Sequence, residues 1–143
     1  MLSLTSKAAI KAVVFLASRS GSGEKAGIVQ IAENIDASEH TVGKLLQTLV
    51  KRQVINSAKG PTGGFYITQA QLKQPIINII EAIDGNEIFT ECGLGLSKCS
   101  AAHPCPIHDD YKKGRDILEK LFRSKNILDL SMNVNTGSAF LNG

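Results

Sequence analysis

A mainly α-helical fold with a small β-wing is predicted by three features of this 143-residue chain. Apolar residues recur with helical period through most of its length. Two strand-like runs flank the glycine-rich turn "KGPTGG". A further amphipathic helix pattern returns near the C-terminus, beyond a loop that holds all three cysteines.

The elements follow in order. "SLTSKAAIKAVVFLAS" offers Ser3, Thr5 or Ser6 as N-cap and places Ile10, Val13, Val14 and Ala17 at helical spacing. The glycines of "SRSGSGEKAG" end that helix in a loop. "IVQIAENI" makes a short second helix with Ile28, Ile31, Ala32 and Ile35 on one side. The third pattern, "SEHTVGKLLQTLVKRQVI", is the clearest. Ser38 caps it, and Glu39 stands in the first turn, where the helix dipole favours a carboxylate. Val42, Leu45, Leu46 and Leu49 form a core stripe; a step of about 100° per residue gathers His40, Lys44, Gln47 and Lys51 on the opposite face. Two helices joined by a three-residue turn, the second polar outside, predict a helix-turn-helix. "VINSA" and "GFYIT" then read as a hairpin whose tight turn lets backbone approach a phosphate, with Lys59 at its base. The turn lacks the Gly-Lys-Ser/Thr ending of a nucleotide loop and precedes a strand, so it reads as a wing. "QPIINIIEAIDG" is a fourth helix, Pro75 near its start and Gly85 near its end, with Ile76, Ile79, Ile80 and Ile83 facing the core. "DDYKKGRDILEKLFRSKNILDL" reads as one long helix with a stripe of Ile117, Leu118, Leu121 and Phe122, too large for an isolated surface helix and suited to a partner subunit.

Charge divides unevenly along the chain. Residues 1–75 carry nine Lys or Arg against four acidic residues, whereas residues 76–143 carry seven against nine. The basic half suits an anionic partner, here double-stranded DNA. No apolar run reaches the length of a bilayer span. "AVVFLA" is a weak signal-peptide core, but Lys7 and Lys11 flank and interrupt it, so a cytoplasmic protein without membrane contact is expected. No coupled nucleophile and base or carboxylate pair stands out beyond the cysteines, and an enzyme is not expected.

"CGLGLSKCSAAHPCPIHDD" concentrates Cys92, Cys99, Cys105 and His108. In a reducing compartment, clustered cysteines of odd number point to metal or redox chemistry rather than a disulfide framework. Zinc modules usually pair their ligands as C-x2-C knuckles. Here six, five and two residues separate successive candidates, with Gly93 and Gly95 between the first two. Such a loop can wrap a larger group and turn its amides toward sulfides, as an iron–sulfur cluster requires. Zinc and metal-free redox thiols remain the alternative readings of these residues.

The succession "SEHTVGKLLQTLVKRQVI", "KGPTGGFYIT" and C-x6-C-x5-C-P-I-H resembles the Rrf-two family of bacterial transcription regulators over residues 1–130. The resemblance implies a homodimer joined by a long C-terminal helix. It also implies a [2Fe–2S] or [4Fe–4S] cluster, the two-iron form favoured, on the residues matching Cys92, Cys99 and Cys105. His108 matches the fourth ligand of the IscR-like branch. In some NsrR-like members an acidic residue of the partner's first helix takes that place, but here the first carboxylate is Glu24, which leaves His108, with Asp109 and Asp110 beside it. Gly43 stands where IscR-like members often carry a glutamate, so operator choice does not transfer.

The expected organisation is therefore a winged helix-turn-helix domain over 1–85, a cluster loop over 86–110, a dimerisation helix over 111–130 and a flexible tail over 131–143. Ser38, His40, Thr41, Lys44, Gln47, Lys51, Lys59, Gly60 and Thr62 form the expected DNA surface, Lys44, Lys51 and Lys59 on phosphates and Thr41, Lys44 and Gln47 toward base edges. His40 reads as a phosphate or solvent residue before a base reader. The expected function is a homodimeric transcription regulator governed by a loop-bound cluster that senses iron–sulfur status, redox stress or nitric oxide. The alternative is a repressor of the same fold governed by metal-free thiols or by a partner protein.

Overall fold

The computed structural model describes residues 1–143. Its elements are α1 (Leu4–Ser18), α2 (Ile28–Ile35), α3 (Glu39–Lys51), β1 (Asn56–Ala58), β2 (Gly64–Tyr66), α4 (Gln69–Leu72), α5 (Ile77–Asp84), α6 (Glu87–Thr90), α7 (His108–Ser124) and α8 (Ile127–Asn135). The mainly helical class with a small wing stands as predicted.

Ser3 caps α1 by accepting the Ser6 amide at 3.0 Å. The Ser3 and Ser6 hydroxyls each donate to Asp84 Oδ2 at 2.6 Å, which pins the start of α1 to the end of α5. Asp36 ends α2 in the left-handed region at φ 54°, so the three residues Asp36, Ala37 and Ser38 suffice to turn the chain into α3. Ala9, Ala12 and Val13 of α1, Ile31 and Ile35 of α2, and Val42, Leu46 and Leu49 of α3 meet in one core with no solvent exposure above 1%. Each Val, Ile and Leu among them contributes about 1.5–3 kcal/mol by burial, and each Ala less.

β1 and β2 pair antiparallel with Ser57 opposite Phe65. Ala26 adds a single bridge to Phe65, its amide and carbonyl both engaged, and ties the wing to the loop before α2. At Gly63 a Cβ would collide with the Ala58 carbonyl oxygen, so the turn closes only with glycine there.

The C-terminal region departs from the expected 111–130 helix and flexible 131–143 tail. α7 stops at Ser124, and α8 begins after Asn126, whose side chain accepts the Asp129 amide at 2.8 Å while Asp129 accepts the Asn126 amide. This reciprocal cap turns the chain, and two backbone bonds hold the turn: Ile76 N–H to the Lys125 carbonyl and Ile127 N–H to the Gln74 carbonyl. Ile127 then lies fully buried in the main core, with Leu130 and Leu141 packed against it. The 1–85 segment therefore does not close its core alone. The cysteine loop proper is also shorter than 86–110, because α6 occupies its start and α7 begins at His108.

Candidate nucleic-acid interface and cysteine centre

α3 presents the face its periodicity predicts. Val42, Leu45, Leu46 and Leu49 are buried, while His40, Lys44, Gln47 and Lys51 are exposed. Ser38 is committed to capping: its Oγ accepts the Thr41 amide at 3.2 Å and donates to Thr41 Oγ1 at 2.9 Å. These two side chains thus fix the helix start, and Thr41 is half-buried. On the wing, Lys59, Gly60 and Thr62 are exposed around the turn closed by the Gly63 amide on the Gly60 carbonyl. Helix face and wing tip belong to the same basic half of the chain.

One cationic feature escapes the sequence reading. A cleft of about 500 Å³ between α1 and the start of α3 is lined by Thr5, Lys7, Lys11, Ser38 and Thr41. Lys11 Nζ donates to the Ile35 carbonyl at 2.8 Å, whereas Lys7 is exposed. Their spacing of four residues was the available signal, since i and i+4 share a helix face.

The second site is the loop between α6 and α7. Cys92 and Cys105 are each 8% exposed, His108 is 7% exposed as the first residue of α7, and Cys99 is half-buried. Cys99 Sγ lies 3.4 Å from His108 Nδ1. The Leu94 amide donates to Cys92 Sγ at 3.4 Å. That amide, with the Leu96 amide next, holds the Cys92 thiol below its usual pKa; burial opposes them, and the Cys105 thiol and Gly95 amide assist. The loop can fold this closely on α7 because Gly93 has no side chain: a Cβ there would meet the Tyr111 ring at 2.7 Å. A cavity of about 390 Å³ beside Cys92 and Cys99 is lined by Thr90, Glu91, Leu96 and Ser97.

The four sequence-predicted donors lie in one region: Cys99 pairs with His108, Cys92 lines the same cavity as Cys99, and Cys105 helps to lower the Cys92 thiol. No three of them converge on a single-ion position. The donor set is nonetheless that of a soft metal centre: three sulfurs, one imidazole and amides aimed at sulfur. The residues fit an iron–sulfur cluster in kind, with the loop arranged here around its own thiols. Asp109 and Asp110 are exposed in the first turn of α7, whereas His108 is buried.

Beyond the sulfur donors, Arg115 completes the site, and sequence reading had no signal for it. Its Nη2 lies 3.2 Å from Cys99 Sγ, and its Nη1 donates to the Glu91 carbonyl.

Residues 2–133 match the sequence profile of the Rrf2 family, described as an iron-dependent transcriptional regulator. A chain of Aquifex aeolicus (strain VF5), described as an HTH-type transcriptional regulator, is 33% identical over 91 residues, or 62% of this chain. This chain spans 63% of the length of that relative. Among solved structures, T. potens IscR aligns with a TM-score of 0.75 at 18% identity, over 97% of this chain and 91% of that one. CymR of B. subtilis, described as the global cysteine regulator, aligns with a TM-score of 0.74 at 17% identity, over 92% and 96%. The oxidized form of Staphylococcus aureus CymR aligns with a TM-score of 0.71 at 18% identity, over 92% and 95%. At these identities the structural likeness establishes the fold.

Proposed function

The chain belongs to the Rrf-two family of transcriptional regulators, and from that membership we propose a homodimer whose hold on a DNA operator is set by an iron–sulfur cluster in the 92–108 loop. The observation that carries this reading is the gathering of Cys92, Cys99, Cys105 and His108 beside amides aimed at the Cys92 sulfur. Such a cluster, when bound, supplies an electron-accepting and chemically labile centre whose charge changes with its state.

The residues of this chain do the rest. The three cysteines and His108 hold the loop to the start of α7, and His108 supports the fourth position better than Asp109 or Asp110 because it alone is buried against Cys99. A two-iron [2Fe–2S] centre is the form favoured. α7 leaves Ile117 70% and Leu121 46% exposed, and its Tyr111, Ile117 and Leu118 line a cleft of about 470 Å³ with Met1 and Ile88. Contiguous exposed apolar surface of this kind suits a second copy of the chain. Lys44, Lys51 and Lys59 neutralise phosphates, Thr41, Lys44 and Gln47 face base edges, and Ser38, His40, Gly60 and Thr62 border the duplex. Ordering of the loop biases the spacing of the two α3 helices, which is a shift between two populations of the dimer. A protein acting on DNA in this way is cytoplasmic. No helix is long and apolar enough to cross a membrane.

A second reading has its own support: Cys105 is among the groups that favour the ionised Cys92 sulfur, and the Cys92 thiol is already inclined to ionise. It is a thiol switch without metal. Anaerobic purification followed by a visible spectrum, iron and sulfide counts, and operator binding before and after cluster removal tests both. Iron and sulfide in equal amounts, with DNA affinity altered on removal, is the expected result. Colourless protein lacking both, with binding that follows thiol oxidation instead, would transfer the function to the switch. Within the first reading, His108→Ala leaves a shorter-lived cluster than wild type, and equal lifetimes would remove His108 from the ligand set.

A further inference from the structure

Arg115 is a buried cation without a carboxylate. The ion pairs of the chain are Arg19 with Glu24, Lys112 with Asp116, and Arg123 with Glu81 and Glu119. Arg115 belongs to none of them and is 6% exposed. Its guanidinium bridges the Glu91 carbonyl and Cys99 Sγ, lies 5.7 Å from the Tyr111 ring centre, and keeps a buried Nε with no hydrogen-bond partner. Arginine does not lose its proton, and a buried charge is strongly unfavourable unless something anionic faces it. Of the groups that bond it, only the Cys99 sulfur can carry a negative charge.

We infer that Arg115 is the positioning residue of the cysteine centre: it supplies the counter-charge to anionic sulfur and ties the loop at Glu91 and Cys99 to α7. The counter-charge rests on the iron–sulfur reading, whereas the tether does not. A fixed positive charge beside a thiolate ligand favours the more negative state of the bound centre, so it raises the potential. The forked guanidinium holds two acceptors in one geometry, which an ammonium cannot reproduce. Since α7 also carries the exposed face of Ile117 and Leu121, the same side chain connects the loop to the proposed dimer surface.

The test compares wild type with Arg115→Met, Arg115→Lys and, as a control on the exposed side of α7, Arg123→Met. Two readouts are used: hydrogen exchange of residues 91–99 in the cluster-free protein, and midpoint potential with cluster lifetime under a chelator after anaerobic reconstitution. Arg115→Met is expected to speed exchange of 91–99 and shorten cluster lifetime, each by about tenfold, the effect of losing one charge-assisted hydrogen bond. Its potential moves negative. Arg115→Lys restores the potential in part, because charge remains, but leaves exchange fast; Arg123→Met matches wild type. Far-UV dichroism verifies folding, and if Arg115→Met does not fold, Arg115→Lys decides by its exchange alone. Wild-type exchange in the Arg115 variants overturns the tether, and wild-type potential and lifetime in Arg115→Met overturn the counter-charge. If wild type itself takes up no iron and sulfide, the cluster reading and the counter-charge both fail, and exchange still decides the tether.

Discussion

α3 buries Val42, Leu45, Leu46 and Leu49 at no more than 2% exposure, whereas the loop from 91 to 107 buries only Cys92 and Cys105, both at 8%. The first region is held by aliphatic packing that any hydrophobic period of 3.6 residues would announce. The second is held by polar means: amides on a sulfur, a thiol against an imidazole, and a guanidinium across a carbonyl and a sulfur. The contrast teaches where stability and responsiveness reside. A core of this kind is insensitive to redox chemistry, while a loop whose few contacts run through sulfur changes its order when the sulfur changes its partners.

Paired substitutions give the largest test of that contrast. Leu46→Ala opens a cavity in a fully buried position and is expected to destabilise the protein by about 2–5 kcal/mol in urea unfolding. Leu96→Ala removes a side chain that is 48% exposed in the loop and stays within about 0.5 kcal/mol of wild type. Similar losses at both positions would show the loop to be a second core.

How legible each region is in the sequence follows from the same physics. The Ser38 cap, the leucine stripe of α3 and the wing turn are local signals, and the structure places all of them as read. The break after Ser124 was also written locally, as Asn126 three residues before Asp129, but the continuing apolar run "NILDL" masks it. Arg115 was not legible, because a charged residue on an amphipathic helix reads as solvated until the loop above it is known. Pairing of Cys99 with His108 rather than with another cysteine is likewise a property of the folded loop, since spacing alone permits several pairings.

Charge separates the regions next. If the basic half carries the DNA surface, Lys44→Ala with Lys59→Ala lowers the slope of log affinity against log salt by about 2, one for each phosphate left without its lysine. Lys112→Ala with Lys120→Ala, on the more acidic C-terminal side, leaves that slope unchanged. A reversal of these two results would move the DNA surface to α7. The smallest effect concerns two glycines. Gly43 sits inside α3, where an added Cβ meets only Ile28 Cδ1 at 3.6 Å, so Gly43→Ala is expected to raise stability by about 0.5–1 kcal/mol. Gly93→Ala, forced against the Tyr111 ring, lowers it and loosens the loop. Thermal unfolding of both variants checks the opposite signs.

The return of α8 onto α1 also sets an order in time. α8 packs its Ile127 into the same core as α1, and Asn142 donates to the carbonyl of Asn34, 108 residues earlier, at 3.2 Å. During synthesis the first helices emerge long before the segment that covers them, and closing so long a stretch of chain is slow. The nascent winged helix therefore leaves the ribosome with an open apolar flank, and the cysteine loop emerges before that flank is sealed.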